Sequence, residues 1–179
     1  ADAVFINKID SAYPDDVDEV RANIRSVNPD AVIIDAASPV TVDNPSIITG
    51  ASVLVVEDGP TLTHGDMEYG AGFVAAEKFG AADYVDPRPF AVGTIIDTYE
   101  KYYSDREEAY ILPAMGYGED QMKDLQQTIN AVDCDVVVIA TPIDLTRIIK
   151  INKPVVRVGY DLQEIGKPDI PEILKSFID

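Results

Sequence analysis

Val53-Leu54-Val55-Val56-Glu57-Asp58-Gly59-Pro60-Thr61-Leu62-Thr63-His64-Gly65-Asp66-Met67-Glu68-Tyr69-Gly70-Ala71-Gly72 is the run from which the architecture can be read. It starts as an apolar, β-branched run, passes through a long loop of glycines and threonines, and enters a helical pattern near Gly70–Phe79. An apolar run with no polar face has to be covered on both sides. The unit recurs along the chain. Strands are expected at Ala3–Ile6, Ala31–Ile34, Val53–Val56, Asp83–Val85, Tyr110–Leu112, Val136–Ala140 and Val155–Val158. A helix is expected from Pro14, with Val17, Val20, Ile24 and Val27 at helical spacing, ended by Asn28-Pro29. Further helices are expected near Gly70–Phe79, Ala91–Tyr102, Glu119–Val132, Leu145–Lys150 and Pro171–Phe177. The alternation predicts an α/β fold: a mostly parallel sheet with helices on both faces and ligand sites at the C-terminal ends of its strands.

The chain has 179 residues, enough for a compact core without a disulfide or metal staple. Its one cysteine, Cys134, opens an apolar run and has no partner within the chain, which fits a reduced intracellular protein and a cytoplasmic location. No signal peptide and no apolar run of about 20 residues is present, so no membrane is expected as a partner. A net charge of −18, from 32 acidic and 14 basic residues, argues against nucleic acid. It suits either a salty cytoplasm or ordinary surface acidity. The segment Pro39–Gly50, rich in Pro, Asn, Asp and Ser, can join two parts, residues 1–50 and residues 51–179. A single continuous sheet is equally compatible with the pattern. The start at Ala1, running straight into a strand, reads as a cut through a longer protein.

Chemistry-bearing residues cluster after the expected strands. In the loop from Glu57 to Gly72, Gly65, Gly70 and Gly72 can let backbone amides approach an anion, and Thr61 and Thr63 add hydroxyl donors. His64, the one histidine, can act as acid–base or phosphate contact, and Asp58 can hold a metal or orient a water. A long turn with a solvated histidine is the other reading. No dedicated metal site is assigned. Arg88, stiffened by Pro87 and Pro89, can present its guanidinium to an anion or pair with a nearby carboxylate. Asp144 reads as a helix cap. At the other end of the chain, Asn7-Lys8-Ile9-Asp10 closes the first strand. A carboxylate at Asp10 can accept two hydrogen bonds from guanine, whose donor pair adenine lacks. Asn7 can tie the loop, and the stem of Lys8 can cover a ring face. The alternative is that Asp10 only caps a turn.

The strand ending Asn7-Lys8-x-Asp10, followed by a helix, Asn28-Pro29 and Ala36-Ala37-Ser38, resembles the SIMIBI class of P-loop GTPases. The stretches Val53–Gly65, Val85–Gly93, Leu112–Tyr117 and Ala140–Leu145 resemble the C-terminal part of the cyclic 2,3-diphosphoglycerate synthase-like family of GTPase-type proteins. The resemblance spans nearly the whole chain. It implies that Asn7, Lys8, Asp10 and Ser38 hold a nucleotide base, within the end of a GTPase-like domain at residues 1–50. It implies a Rossmann-like lobe at residues 51–179, with Thr61, Thr63, Gly65, Gly70, Gly72 and Arg88 around phosphate and His64 and Asp58 as catalytic groups. It implies GTP or ATP with Mg²⁺ as cofactor and a phosphorylated metabolite closed into a cyclic phosphoanhydride. No G-x-x-x-x-G-K-[ST] loop occurs in the chain, so triphosphate contacts would come from an upstream domain, and the isolated chain is expected to be inactive. A homo-oligomer is compatible with it. The competing reading is a regulatory or metallochaperone-like GTPase whose C-terminal lobe couples to a partner.

Overall fold

The computed structural model describes residues 1–59, 70–104 and 110–178, with the side chains of 176–178 left aside. His64, Thr61, Thr63 and Gly65 lie outside the described residues. The chain forms two compact units, Ala1–Pro39 with Tyr160–Asp179, and Val40–Gly159.

The first unit holds β1 (Ala3–Ile6), α1 (Pro14–Val27), β2 (Val32–Ala37), and, after the chain returns, β9 (Gln163–Ile165) and α5 (Ile170–Ile178). Its sheet order is β1-β2-β9. β1 and β2 run parallel, with Ala3 opposite Val32, and β9 runs antiparallel to β2. α1 forms where its signals place it. Pro14 sits in the first turn with Asp15 and Asp16, which suit the positive end of the helix dipole. Arg25 sits in the last turn. Arg21 ties the helix to β2 through both oxygens of Asp35, at 2.8 and 3.0 Å.

The second unit holds β3 (Val40–Val42), β4 (Ser52–Asp58), α2 (Ala71–Lys78), β5 (Asp83–Tyr84), α3 (Thr94–Tyr102), β6 (Ile111–Ala114), α4 (Glu119–Ala131), β7 (Val136–Ala140) and β8 (Val155–Tyr160), whose last residue already belongs to the first unit. The sheet order is β3-β8-β7-β4-β5, and β6 pairs β4 beyond β5. β4 is parallel to β5, β6 and β7, and β7 is parallel to β8. Successive side chains of a strand point to opposite faces. Val53, Val55, Val136 and Val138 therefore pack with Ala75 and Ala76 of α2. Leu54, Val56, Val137 and Ile139 pack with Tyr99 of α3 and with Leu125 and Ile129 of α4. Helices cover both faces, and this is why the strands read as unbroken apolar runs. The α/β reading with a mostly parallel sheet holds.

Several elements depart from the expected pattern. The helix expected at Leu145–Lys150 is a 3-10 turn, Leu145–Arg147. Asp144 caps it by accepting from the Thr146 amide, and Leu145 and Ile149 are buried in the core. The three-residue strands β3 and β9 are too short to carry a period-two signal. The helix expected from Ala91 starts at Thr94, because Gly93 has φ +51°. A side chain at Gly93 would put Cβ 2.3 Å from Asp124 Oδ2. The same oxygen accepts from the Thr94 amide at 2.9 Å and from Thr94 Oγ1 at 3.0 Å.

Gly93→Ala meets both a forbidden backbone angle and the Asp124 carboxylate. It should lower stability by about 1–3 kcal/mol in urea unfolding. An unchanged midpoint would show that Asp124 and the turn yield without cost.

Candidate functional site

The chain places β5 and β6 on one side of β4 and then crosses to lay down β7 on the other. In open α/β sheets a crevice opens at such a reversal, outside the C-terminal ends of the strands, and ligands bind there. Here it falls between the ends of β4, at Glu57-Asp58-Gly59, and of β7, at Ala140-Thr141. Glu57 and Ala140 stand side by side in the register, and Asp58 lies beside Ala114 of β6.

Glu57 is only 2% exposed. Its Oε1 accepts from the Phe73 amide at 2.8 Å, inside the first turn of α2. A Cβ on Gly70 would lie 2.4 Å from Oε2, and one on Gly72 would lie 2.9 Å from Oε1 and 2.8 Å from Val55 Cγ1. The two glycines are thus the space into which the carboxylate fits. The anion at this helix N-terminus is the protein's own. Burial pushes the Glu57 carboxyl up, and the amides of Phe73, Gly70 and Gly72 pull it back. Oε2 has no hydrogen-bond partner of standard geometry among the described residues.

Next along β4, Asp58 reaches the crevice. Burial raises the Tyr117 hydroxyl, and the Asp58 charge adds to it, so the two groups share one neighbourhood. Gly59 lies against the end of β6, where a Cβ would sit 2.3 Å from Met115 Sδ. Beside it, a small cleft of about 40 Å³ opens between the end of β6 and the first turns of α3 and α4, lined by Thr94, Thr98, Met115, Gly116 and Gln121 among others. On the β7 side, Thr141 is buried and donates to the Ile143 carbonyl. Asp144 accepts from the amide and hydroxyl of Thr146 at 3.2 and 2.6 Å. It also faces Arg147 Nε at 3.2 Å and Arg157 Nη1 at 3.6 Å. The Thr146 hydroxyl and these two cations hold its carboxyl below the usual range. Sequence reasoning passes over Arg157. The available signal was a cation inside an apolar strand, Val155-Val156-Arg157-Val158.

Arg88 is bound within its own turn. Its Nε donates to both oxygens of Asp86, at 3.0 and 2.8 Å, and the backbone amide joins it. β5 pairs with β4 only at Ser52 and Val53, so this turn leaves the sheet near the start of β4 rather than past its end. No group of three or more His, Cys, Asp or Glu side chains that could hold a metal occurs among the described residues. No helix among them is long and apolar enough to cross a membrane.

In the first unit, Asn7, Lys8, Asp10 and Ser38 lie at the ends of the neighbouring strands β1 and β2. Asn7 Oδ1 accepts from the Lys8 amide at 2.9 Å, and Lys8 adopts φ +63°. Asp10 Oδ1 accepts from the Ser38 amide at 3.0 Å. Asp10 therefore clasps the next strand's end with one oxygen, as a cap does.

No family model matches the chain. It is 58% identical over 178 residues to arginine synthetase ArcE of Thermococcus kodakarensis, a match that takes in 99% of this chain. The chain spans 39% of that relative's length. The finding corrects the resemblance drawn above. A relative this similar is named for making arginine, so the assignment to cyclic 2,3-diphosphoglycerate synthase-like proteins of the SIMIBI class falls. The phosphoanhydride-forming reaction and the GTPase alternative, regulatory or metallochaperone-like, fall with it. The physical reason lies in the motifs. Four residues at a strand end, and apolar strands followed by glycine loops, recur in parallel α/β sheets of unrelated function.

A buried carboxyl with a raised pKa favours the folded state while it keeps its proton. That contribution is complete below the unfolded value and is lost as pH rises through the raised one. Glu57→Gln keeps the acceptor for Phe73 and removes the charge. Its stability should fall less than the parent's as pH rises from the ordinary carboxylate range to neutrality and above. A parent–variant difference that stays flat across that range in denaturant titrations would refute the reading of Glu57 as a strained buried acid.

Proposed function

We propose that this chain is a portion of an arginine-forming synthetase, and that the crevice between β4 and β7 holds the arginine end of the reaction. The observation that carries the reading is 58% identity over 178 residues to a protein named arginine synthetase. The chemistry of the site supports it. Arginine is a cation at one end and a carboxylate at the other. The crevice offers the Asp58 carboxylate at the end of β4, in a chain of net charge −18 that suits a cationic product. A carboxylate accepts the two parallel N–H groups of a guanidinium, the strongest directional pairing available to it.

Making a guanidinium from a ureido group requires a carbonyl oxygen to leave and an amine to enter. Oxygen leaves poorly unless it is first activated, and a nucleoside triphosphate with Mg²⁺ supplies that activation in synthetases. The loop of Asn7, Lys8 and Asp10, with Ser38, offers a place for a nucleobase. Asp10 Oδ2 takes no part in the clasp with Ser38. The remaining triphosphate contacts are assigned to parts of the protein beyond this chain.

The intact protein, given the ureido precursor, a nitrogen donor, Mg²⁺ and ATP or GTP in separate arms, should form arginine detectable by amino-acid analysis. Asp58→Asn should lower kcat/KM by about ten- to a hundredfold, the loss of one charge-assisted pairing. Absence of arginine with every nucleotide would end the proposal, whereas full activity of the Asn variant would move the guanidinium away from β4.

A further inference from the structure

Arg157 occupies an interior strand, between β3 and β7, in register with Ile139. An aliphatic residue there would keep the strand pairing and fit the surrounding run Val155-Val156-x-Val158. The arginine does little for the fold in return. Among the described residues its side chain makes no hydrogen bond, its Nε is enclosed without a partner, and its one ionic contact is the 3.6 Å approach to Asp144. Asp144 is already engaged by Thr146 and by the closer Arg147. Asp43, the other nearby carboxylate, accepts from the backbone amide of Arg157 at 3.0 Å. The side chain is 39% exposed and stands beside Ile139, near the C-terminal end of β7. A guanidinium fork left largely unpaired there fits a planar oxyanion.

We propose that Arg157 is the group that binds the α-carboxylate of the amino acid, with its cationic end directed toward Asp58. The inference rests on the arginine-forming reading above and adds the polarity with which the amino acid lies across the sheet. The spacing agrees. β4 and β8 flank β7, two strand spacings apart, on the order of 10 Å. An extended arginine, with a hydrogen bond at each end, separates its carboxylate and guanidinium partners by a distance of that order.

The test is calorimetric titration of the intact protein with arginine and with agmatine, which has the same guanidinium and chain but no carboxylate. The parent should bind arginine at least about tenfold tighter than agmatine. Arg157→Gln should bring that ratio close to one while leaving agmatine affinity unchanged. Arg157→Lys keeps the charge without the fork and should lose part of the ratio, which decides the matter if the Gln variant fails to fold. A Gln variant that preserves the ratio overturns the assignment of Arg157 and leaves the arginine-forming reading intact, since arginine still binds. Equal binding of both ligands by the parent overturns it too. A variant that loses nucleotide affinity instead of arginine affinity identifies a phosphate contact and refutes the carboxylate. A parent that binds neither ligand removes both readings together.

Discussion

β4 and β7 hydrogen-bond side by side from Val53 opposite Val136 to Glu57 opposite Ala140, and the pair is buried on both faces. The rest of the second unit depends on this contact. One face of the pair collects α2, the other collects α3 and α4, and the neighbouring strands β6 and β8 are hung on its two sides. The reversal in strand order also falls between these two strands. The element that supplies the core's apolar surface therefore sets the position of the crevice, and a residue moved by one place along β4 would turn from crevice to core.

A second device repeats through the unit. Helix N-termini present unpaired amides, and this acidic chain satisfies them with its own side chains. Glu57 reaches into α2, Asp124 into α3, and Gln121 accepts from the Gly118 amide at the start of α4. Each acceptor is accompanied by a glycine whose Cβ would collide with it: Gly70 and Gly72, Gly93, and Gly116. Gly70 and Gly72, which read in sequence as openings for an exogenous anion, make room for a side chain of the protein, as Gly93 and Gly116 also do. Among the described residues, Arg147 and Arg157 are cations that the structure brings to this edge, both beside Asp144.

The overturned family resemblance has the same root. Asn7-Lys8-x-Asp10 suggested base reading because each residue type is chemically able to do it. In the fold, one oxygen of Asp10 fastens β1's end to β2's end and the other stays out of that clasp, so the motif by itself carries no family. Residue types narrow the chemistry that is possible. They do not say which partner in the folded chain has already taken up a hydrogen-bonding group.

The α/β class, the strand positions of the core and the run of α1 were legible from residues alone, because those signals are local. Apolar runs, helical spacing, Pro14 at a helix start and Asn28-Pro29 at its end act within a few residues of themselves. The strand ends, including Asp58 and the segment from Thr141 to Asp144, stood out in the same way. Whatever joins distant segments emerged only on folding. The return of residues 160–178 to pair β9 with β2 could not be read from a three-residue strand. The crossing from β6 to β7, which fixes the crevice, depends on sheet order rather than on composition. Arg88 was legible as a cation able to pair with a nearby carboxylate, but only the folded turn names Asp86 as that partner, and Arg157 was hidden among valines until β8 was placed beside β7. Local propensity acts through neighbours in the chain, whereas a binding site is built from neighbours in space, and only the packed sheet supplies those.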